Sequence, residues 1–448
     1  MQKLLRLLHF LHVGDGRMGK SGKRRLAGIA VMVTAGIVCA SLLSEKGGVK
    51  VEESEERTVV LPVWIGGGDA SWENCMNEVA AAYIELHPEV EVRVRTVANV
   101  ENTDYDKGLI IETALGNFEG IVEMRNAQRY VQEGLLAPLP DELTEKIKQV
   151  KEIDGEVYSV PRYYSVRGMI YNKSIFRELG LGVPENYEEF LGVCRTLKEH
   201  GIAPLAVGAG DLWHLDHWCN LLFAMNVSRQ NPGWLKLCSE GEAHWTDDGP
   251  VQMLLDFQEL FEEGYVEENY AETTDAETIE LLTEGRAAML CSGPWLFSQI
   301  LKTDPEFEIG WFFLPDREGK LLLEQNGDWE WAVASSCEVD GTYDAAVDFL
   351  KFYYSRDIYG MVLQSMNGCS ACTEDIRYRT IPAQEEILKA VQEEKEPKTT
   401  SVGTAGTPEG FASIWYNEML KMAKGVQTVE ETADRLEEEW SRCLEKEQ

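Results

Sequence analysis

The chain has 448 residues, of which 44% are hydrophobic, so it can bury substantial cores and exceeds the usual size of a single domain. Its formal net charge of −35 repels nucleic acid and anionic lipid, and it disfavours phosphorylated ligands unless a local basic pocket exists. We therefore expect two domains and a neutral ligand.

The N-terminal segment predicts export. An uncharged run from Leu26 to Leu43 follows a cluster of basic residues, which is the order of a signal peptide. Its length also suits a membrane span, so residues 1–44 are predicted to be an export signal or an uncleaved membrane anchor. Cys39 is a candidate for lipidation, and cleavage before Ser41 is the alternative. The polar residues 45–57 are typical of a flexible linker.

The folded body is predicted to begin near residue 58 with alternating strands and helices. Residues 58–65 form a continuous apolar run of strand type, which a glycine-rich loop ends before a helix-like stretch. Residues 90–97 alternate apolar and polar side chains like a second strand, and a helix-like stretch over 105–115 precedes a short strand at 121–122. This order is typical of an α/β domain with a largely parallel sheet.

The middle and the end of the chain are rich in predicted helices. The helical stretches are 186–199, 212–225, 252–263 and 412–445, and short strand candidates lie at 204–207 and 287–291. These elements are sufficient for a second α/β lobe.

Cysteines and histidines indicate neither a disulfide framework nor a metal site. The ten cysteines are scattered along a long chain. Cys369 and Cys372 have redox-motif spacing without thioredoxin-like surroundings, so we predict a structural loop pair, bonded or free. His214 and His217 share a helix face, but no third ligand is near in sequence, and hydrogen bonding is the preferred interpretation. No metal or cofactor is predicted.

Several segments resemble one protein family. They are Tyr130–Leu139 (YVQEGLLAPL), Asp154–Pro161 (DGEVYSVP), Gly168–Phe176 (GMIYNKSIF), Glu284–Met289 (EGRAAM), Gly293–Trp295 (GPW) and Leu314–Asp316 (LPD). In this order and spacing they are similar to the extracellular solute-binding proteins of sugar-importing ABC transporters, of the maltodextrin- and multiple-sugar-binding type. The chain departs from that family at Glu119–Gly120, where members commonly have Pro-Asp ahead of the strand.

The resemblance implies an α/β, two-lobed fold of the periplasmic-binding-protein type. Each lobe is expected to hold a mostly parallel sheet flanked by helices, with the ligand cleft between the lobes. The expected lobes are residues 58–165 with 328–355, and residues 166–327 with 356–448. The chain is expected to cross between them near 165–167, 326–328 and 354–357.

The implied function is the capture of a carbohydrate outside the cytoplasm and its delivery to the permease subunits of an ABC importer. Membrane attachment through the N-terminus is expected, with secretion as the alternative. A ligand-sensing subunit that docks on a membrane receptor would use the same closure, and the sequence does not separate the two roles. No segment resembles a hydrolase signature, so a glycoside-active enzyme is disfavoured, and no nucleic-acid partner is expected.

A sugar site needs flat aromatic rings for the apolar ring faces and polar groups for the hydroxyls. The candidate ligand-binding residues are Trp64, Asp69, Arg125, Tyr164, Arg167, Trp213, His214, Trp295, Asp328 and Trp329. His217 is a further polar candidate, and core packing competes for the aromatic residues, notably Trp64. Trp295 follows a Gly-Pro turn, and the family uses this position for stacking, so we expect Trp295 to face the ligand.

Overall fold

The computed structural model describes residues 59–66, 70–97, 105–322, 324–326, 329–393, 401–403 and 406–447. The predicted export segment with Cys39, the linker, and the candidates Asp69 and Asp328 lie outside these ranges. Within them, no helix combines the length and apolarity that crossing a membrane requires.

The strands are β1 (Val59–Gly66), β2 (Val90–Val97), β3 (Ile121–Met124), β4 (Leu136–Ala137), β5 (Glu152–Ile153), β6 (Glu156–Val157), β7 (Ser159–Pro161), β8 (Ser165–Asn172), β9 (Ala203–Ala206), β10 (Ala287–Ser292), β11 (Ile309–Phe312), β12 (Glu324–Asn326) and β13 (Glu330–Ala334).

The α-helices are α1 (Ala70–Leu86), α2 (Tyr105–Ala114), α3 (Ala127–Gln132), α4 (Asp141–Thr144), α5 (Lys173–Leu179), α6 (Tyr187–Glu199), α7 (Leu215–Phe223), α8 (Trp234–Ser239), α9 (Asp248–Glu262), α10 (Asp275–Thr283), α11 (Phe297–Thr303), α12 (Ser336–Asp340), α13 (Tyr343–Tyr353), α14 (Arg356–Met366), α15 (Pro382–Glu393), α16 (Phe411–Ala423) and α17 (Val429–Glu447). Short 3-10 turns lie at Leu212–His214 and Pro294–Leu296, and a π-helical turn at Ala224–Ser228 follows α7.

The first sheet has the strand order β2-β1-β3-β13-β4, with β7 paired to β13. β1 pairs in parallel with β2 and β3, whereas β13 runs antiparallel to β3, β4 and β7. The middle of β1 is buried. Its sequence is a continuous apolar run, which is typical of a strand covered on both faces. β2 forms an edge of the sheet, and its alternating side chains turn one face to solvent.

The second sheet has the strand order β11-β8-β10-β9, with β12 also paired to β8. β9 and β10 are parallel, and β8 runs antiparallel to β10, β11 and β12. The chain passes from β7 in the first sheet to β8 in the second through Arg162–Tyr164.

The α/β architecture of the described residues therefore contains two main sheets, each with its own helices, and one two-stranded antiparallel sheet, β5-β6; both main sheets are mixed rather than mostly parallel. The parallel pairs are confined to β2-β1-β3 and β9-β10. The remaining pairs are antiparallel because β8 and β13 do not return through a crossover helix in their own sheet; each arrives from a strand of the other sheet. The residue boundaries of the lobes stay a prediction.

Aromatic residues fill the core beside the second sheet. Trp245 lies between Trp415 and Trp440, with ring centroids 5.8 Å from each, and Phe411 packs on it at 5.2 Å. These rings come from α16, α17 and the loop ahead of α9, so the C-terminal helices complete this core. Most of the chain's tryptophans are thus structural, and few of them are free to meet a ligand.

The Cys369–Cys372 pair is buried, and both thiols are free. Cys369 pairs with Tyr164 through two backbone hydrogen bonds, the Tyr164 amide donating at 2.9 Å and the Cys369 amide at 2.8 Å. Burial raises the pKa of Cys369 to about 12 and that of Cys372 to about 11. Such thiols are poor nucleophiles, which suits the predicted structural role.

Candidate ligand-binding site

A buried carboxylate organises the ends of β1 and β3. Glu123 is fully buried; its Oε2 accepts hydrogen bonds from the Gly66 amide at 2.8 Å and from Trp72 Nε1 at 3.1 Å. Its Oε1 pairs with the Arg162 guanidinium. The parallel register of β1 and β3 places these groups at the same edge, beyond the carboxyl ends of the strands, where ligands of α/β sheets bind.

An aromatic platform lies above this cluster. The Arg125 guanidinium carbon lies 4.2 Å from the centroid of the Trp329 ring, and Tyr105 packs edge-on against the same ring at 5.0 Å. Gly66 lies beneath it, since a Cβ there would be 3.5 Å from the indole. Trp329 is only partly buried, so it offers an apolar ring face held in place by a cation.

A second polar cluster belongs to β8 and the helices beside it. Arg167 on β8 pairs with Asp216 Oδ2, and Asp216 Oδ1 accepts a hydrogen bond from the Tyr416 hydroxyl at 2.7 Å. Burial and the Asp216 carboxylate raise the pKa of Tyr416 well above its usual value, and the positive charge of Arg125 opposes that rise. Arg125 follows the first sheet, so the two clusters lie within electrostatic range of each other.

A group of aromatic rings lies beside the second sheet, next to this polar cluster. The Trp295 ring lies 5.7 Å from His217, which in turn lies 5.1 Å from His214 and 5.9 Å from Trp213. Trp295 is partly buried and folds back over Gly293, where a Cβ would come within 1.8 Å of the indole. The 3-10 turn that begins at Pro294 therefore directs the indole toward α7.

His214 is positioned by its own hydrogen bonds. Its Nδ1 accepts a hydrogen bond from the Gly208 amide at 3.1 Å, which places the ring proton on Nε2, 3.5 Å from Asp275 Oδ1. Burial lowers the pKa of His214 to about 4. His214 thus lies between the 208–214 turn and α10 as a neutral ring; its Nδ1 is hydrogen-bonded, whereas its Nε2 lies near Asp275 without a hydrogen bond among the described residues.

Acidification is expected to destabilise the protein partly through His214. Its pKa falls from 6.5 in the unfolded chain to about 4 in the folded one, so its contribution is complete above pH 6.5 and is lost as the pH falls toward 4. The contribution is on the order of 3 kcal/mol. His214→Asn should be less stable than wild type at pH 8 in urea unfolding and should lose less stability between pH 7 and pH 4.

His200→Asn is the matched control, because His200 is exposed. It should leave the pH dependence of unfolding unchanged. Equal pH dependence in wild type and His214→Asn would contradict the assignment of this stability to His214.

The structure brings some of the predicted residues together and separates others. Arg125 and Trp329 meet at the first sheet, while Arg167 and the cluster of Trp213, His214 and Trp295 lie beside the second. Tyr164 is buried, and its hydroxyl donates to the Lys148 carbonyl at 2.8 Å. Trp64 is 6% exposed beneath the Arg95 guanidinium. Both rings are packed within the first-sheet body rather than presented on a surface.

Four further residues contribute that the candidate set does not contain. Arg162 pairs with Glu123, and Tyr416 pairs with Asp216, which itself joins β8 to α16. Asp216 lies two residues after His214 along a predicted helix and could have been proposed from its position. Tyr416 lies 200 residues further along the chain, and no sequence pattern connects it to Asp216.

Among the residues in the ranges given above, no group of three or more His, Cys, Asp or Glu side chains is arranged to hold a metal ion.

Comparison with known proteins gives one family and one fold. Residues 69–359 match the family described as bacterial extracellular solute-binding protein. The multiple sugar-binding protein of Streptococcus mutans is 27% identical over 187 residues, which are 41% of this chain and 44% of that protein. The chain thus spans less than half the length of this relative.

Solved structures share the fold over most of the chain. A chitin oligosaccharide binding protein superposes with a TM-score of 0.74 at 22% identity, covering 86% of this chain and 99% of the other. A sugar transporter from Bacillus licheniformis, in complex with stachyose, superposes with a TM-score of 0.73 at 16% identity, covering 86% and 100%. At this identity the similarity shows the fold alone. It confirms the predicted two-lobed α/β architecture.

Proposed function

The chain belongs to the family of bacterial extracellular solute-binding proteins, and on that premise we propose that it captures a sugar or short oligosaccharide and delivers it to the permease subunits of an ABC importer. As a member of this family it is a binding protein rather than an enzyme, and it acts outside the cytoplasm. Attachment to the membrane through residues 1–44 is part of the proposal.

One observation carries the carbohydrate assignment. Trp329 and Trp295 are partly buried indoles, each next to side chains that can hydrogen-bond a hydroxyl, and Trp213, in the same group of rings as Trp295, is 46% exposed. An apolar ring face combined with nearby donors and acceptors is what a sugar requires, because its CH faces stack while its hydroxyl edges need partners.

The charges in the site favour a neutral ligand. Arg162 is paired with Glu123, and Arg167 is paired with Asp216, so these two cations are balanced by carboxylates. The formal net charge of −35 adds long-range repulsion of anions. We therefore expect a phosphorylated or strongly acidic sugar to bind this site more weakly than a neutral sugar does.

A thermal-shift screen tests the proposal. Raffinose, stachyose, maltose and chitobiose would be compared with amino acids and with glucose 6-phosphate. A ligand present at about 100 times its dissociation constant stabilises the protein by about 2.7 kcal/mol. We expect at least one neutral sugar to raise the melting temperature. Stabilisation by amino acids alone would contradict the proposal.

An ion pair connects the two halves of the chain. Arg129 on α3 lies 2.7 Å from Glu409, which precedes α16, and α16 packs on α7 and α9 beside the second sheet. Both side chains are partly exposed, so we expect their pairing to stabilise a closed form by at most about 1 kcal/mol.

Arg129→Glu is accordingly expected to raise the dissociation rate of a bound sugar by up to about fivefold, and Glu409→Arg should restore it in the double variant. Stopped-flow tryptophan fluorescence measures this rate. Glu133→Ala is the control, since Glu133 also pairs with Arg129 but lies directly after the same helix, α3, rather than in the other half of the chain. If the double variant dissociates faster than Arg129→Glu, the ion pair does not contribute to closure.

A further inference from the structure

His217 differs from the other polar side chains of the site. It is 4% exposed on α7, and neither of its ring nitrogens has a hydrogen-bond partner among the described residues. An unpartnered polar group in the protein interior is costly, so a native site that retains one requires an explanation. His214, three residues earlier, already has a hydrogen-bond partner for its Nδ1.

The surroundings of His217 are aromatic rather than polar. The rings of Trp213, His214 and Trp295 lie 5.9, 5.1 and 5.7 Å from its own ring. Trp213 stands edge-on to it, and Trp295 is tilted by 45°. Trp295 is partly buried and Trp213 is 46% exposed, so the imidazole lies next to two indoles with accessible ring surface.

The imidazole is neutral. Burial lowers its pKa well below the usual value, and the positive charge of Arg167 acts in the same direction. A neutral imidazole has one N–H donor and one acceptor nitrogen. A hydroxyl group likewise donates one hydrogen bond and accepts others, whereas a carboxylate only accepts and an ammonium only donates.

We propose that His217 is a specificity-determining residue that hydrogen-bonds a hydroxyl of the sugar ring stacked on Trp295. This inference rests on the carbohydrate-binding function proposed above. A site built to pair with a hydroxyl rejects analogues that lack it, because its own buried polar group is then left without a partner. The structure therefore favours His217, both of whose ring nitrogens lack a hydrogen-bond partner among the described residues, over His214, whose Nδ1 is already hydrogen-bonded, as the histidine that selects the ligand.

His217→Phe tests the proposal, because phenylalanine keeps a flat ring of similar size and removes both nitrogens. Without ligand, this variant should melt at the same temperature as wild type or higher, since it removes a buried polar group that lacks a partner. Its dissociation constants for raffinose, stachyose and chitobiose, measured by calorimetry, should be about tenfold or more above those of wild type for the sugars that wild type binds. His217→Gln, which keeps a donor and an acceptor, should recover part of the affinity.

Two results would overturn the assignment. One is unchanged affinity of His217→Phe for a sugar that wild type binds, which indicates a buried residue without ligand contact. The other is a lower melting temperature of His217→Phe without ligand, which indicates that the imidazole is a structural group. If wild type binds none of the neutral sugars of the thermal-shift screen, the proposed function fails and this inference fails with it, a result distinct from both.

Discussion

Replacing Glu123 with alanine is expected to lower the free energy of unfolding by about 3–5 kcal/mol. The substitution removes the partner of Arg162, whose side chain is only 13% exposed, and leaves the Gly66 amide and Trp72 Nε1 without their acceptor. An uncompensated buried charge costs far more than the pair itself contributes. Urea unfolding followed by circular dichroism measures the change.

Glu119→Ala is the matched control. Glu119 precedes the same strand and also pairs with an arginine, Arg95 at 3.1 Å, but both side chains are more than a third exposed, at 41% and 37%. Exposed pairs contribute about 0–1 kcal/mol. We expect the two variants to differ by at least about 2 kcal/mol. Similar losses in both would show that Glu123 does not organise the end of the sheet.

Replacing Trp295 with alanine is expected to weaken sugar binding by about 2 kcal/mol or more, which is roughly a 30-fold rise in dissociation constant. The indole is a partly buried anchor beside His217, and such anchors carry a disproportionate share of binding energy. Calorimetric titration gives the affinity. Thermal melting should show a smaller loss than for a core tryptophan such as Trp245, whose removal would cost about 3–5 kcal/mol.

Gly293→Ala keeps the Trp295 indole but displaces it, so this variant tests whether the position of the ring determines the affinity. Gly293 has a φ of −131°, which any residue adopts, so alanine introduces no backbone strain. Its Cβ would nevertheless come within 1.8 Å of the Trp295 ring and must displace it. We expect this variant to lose affinity as well. Unchanged affinity in both variants, with a large drop in melting temperature for Trp295→Ala, would make Trp295 a core residue.

Local sequence patterns predict a helix or a strand well where one local interaction, such as a helix cap, determines where it begins. The helix expected over 186–199 begins at Tyr187, because the Asn186 side chain accepts a hydrogen bond from the Glu189 amide at 2.9 Å and caps it. The helix expected over 212–225 is also present, but as a 3-10 turn, α7 and a π-helical turn. Apolar periodicity cannot distinguish these hydrogen-bond patterns.

Long-range pairing is what local patterns do not predict. β13 inserts between β3 and β4 although nearly two hundred residues separate it from β4, which makes the first sheet mixed rather than parallel. The same limit applies to the site. Glu123 on β3 and Arg162 after β7 meet because β3 and β7 both pair with β13, and only the fold determines which carboxylate receives which guanidinium. The sequence alone does not distinguish the aromatic candidates that pack in the core from those that line the site. Their burial in the structure does.

We propose that a sugar is held between two lobes that close on it, about the expected hinges near Arg167 and Asp328, of which Asp328 lies outside the described residues. Small-angle X-ray scattering, with and without a saturating sugar whose binding calorimetry has confirmed, tests it most directly. A ligand that contacts both lobes has a higher affinity for the closed form and shifts the population toward it. We predict a smaller radius of gyration with the sugar. An unchanged radius at confirmed saturation would contradict capture by closure.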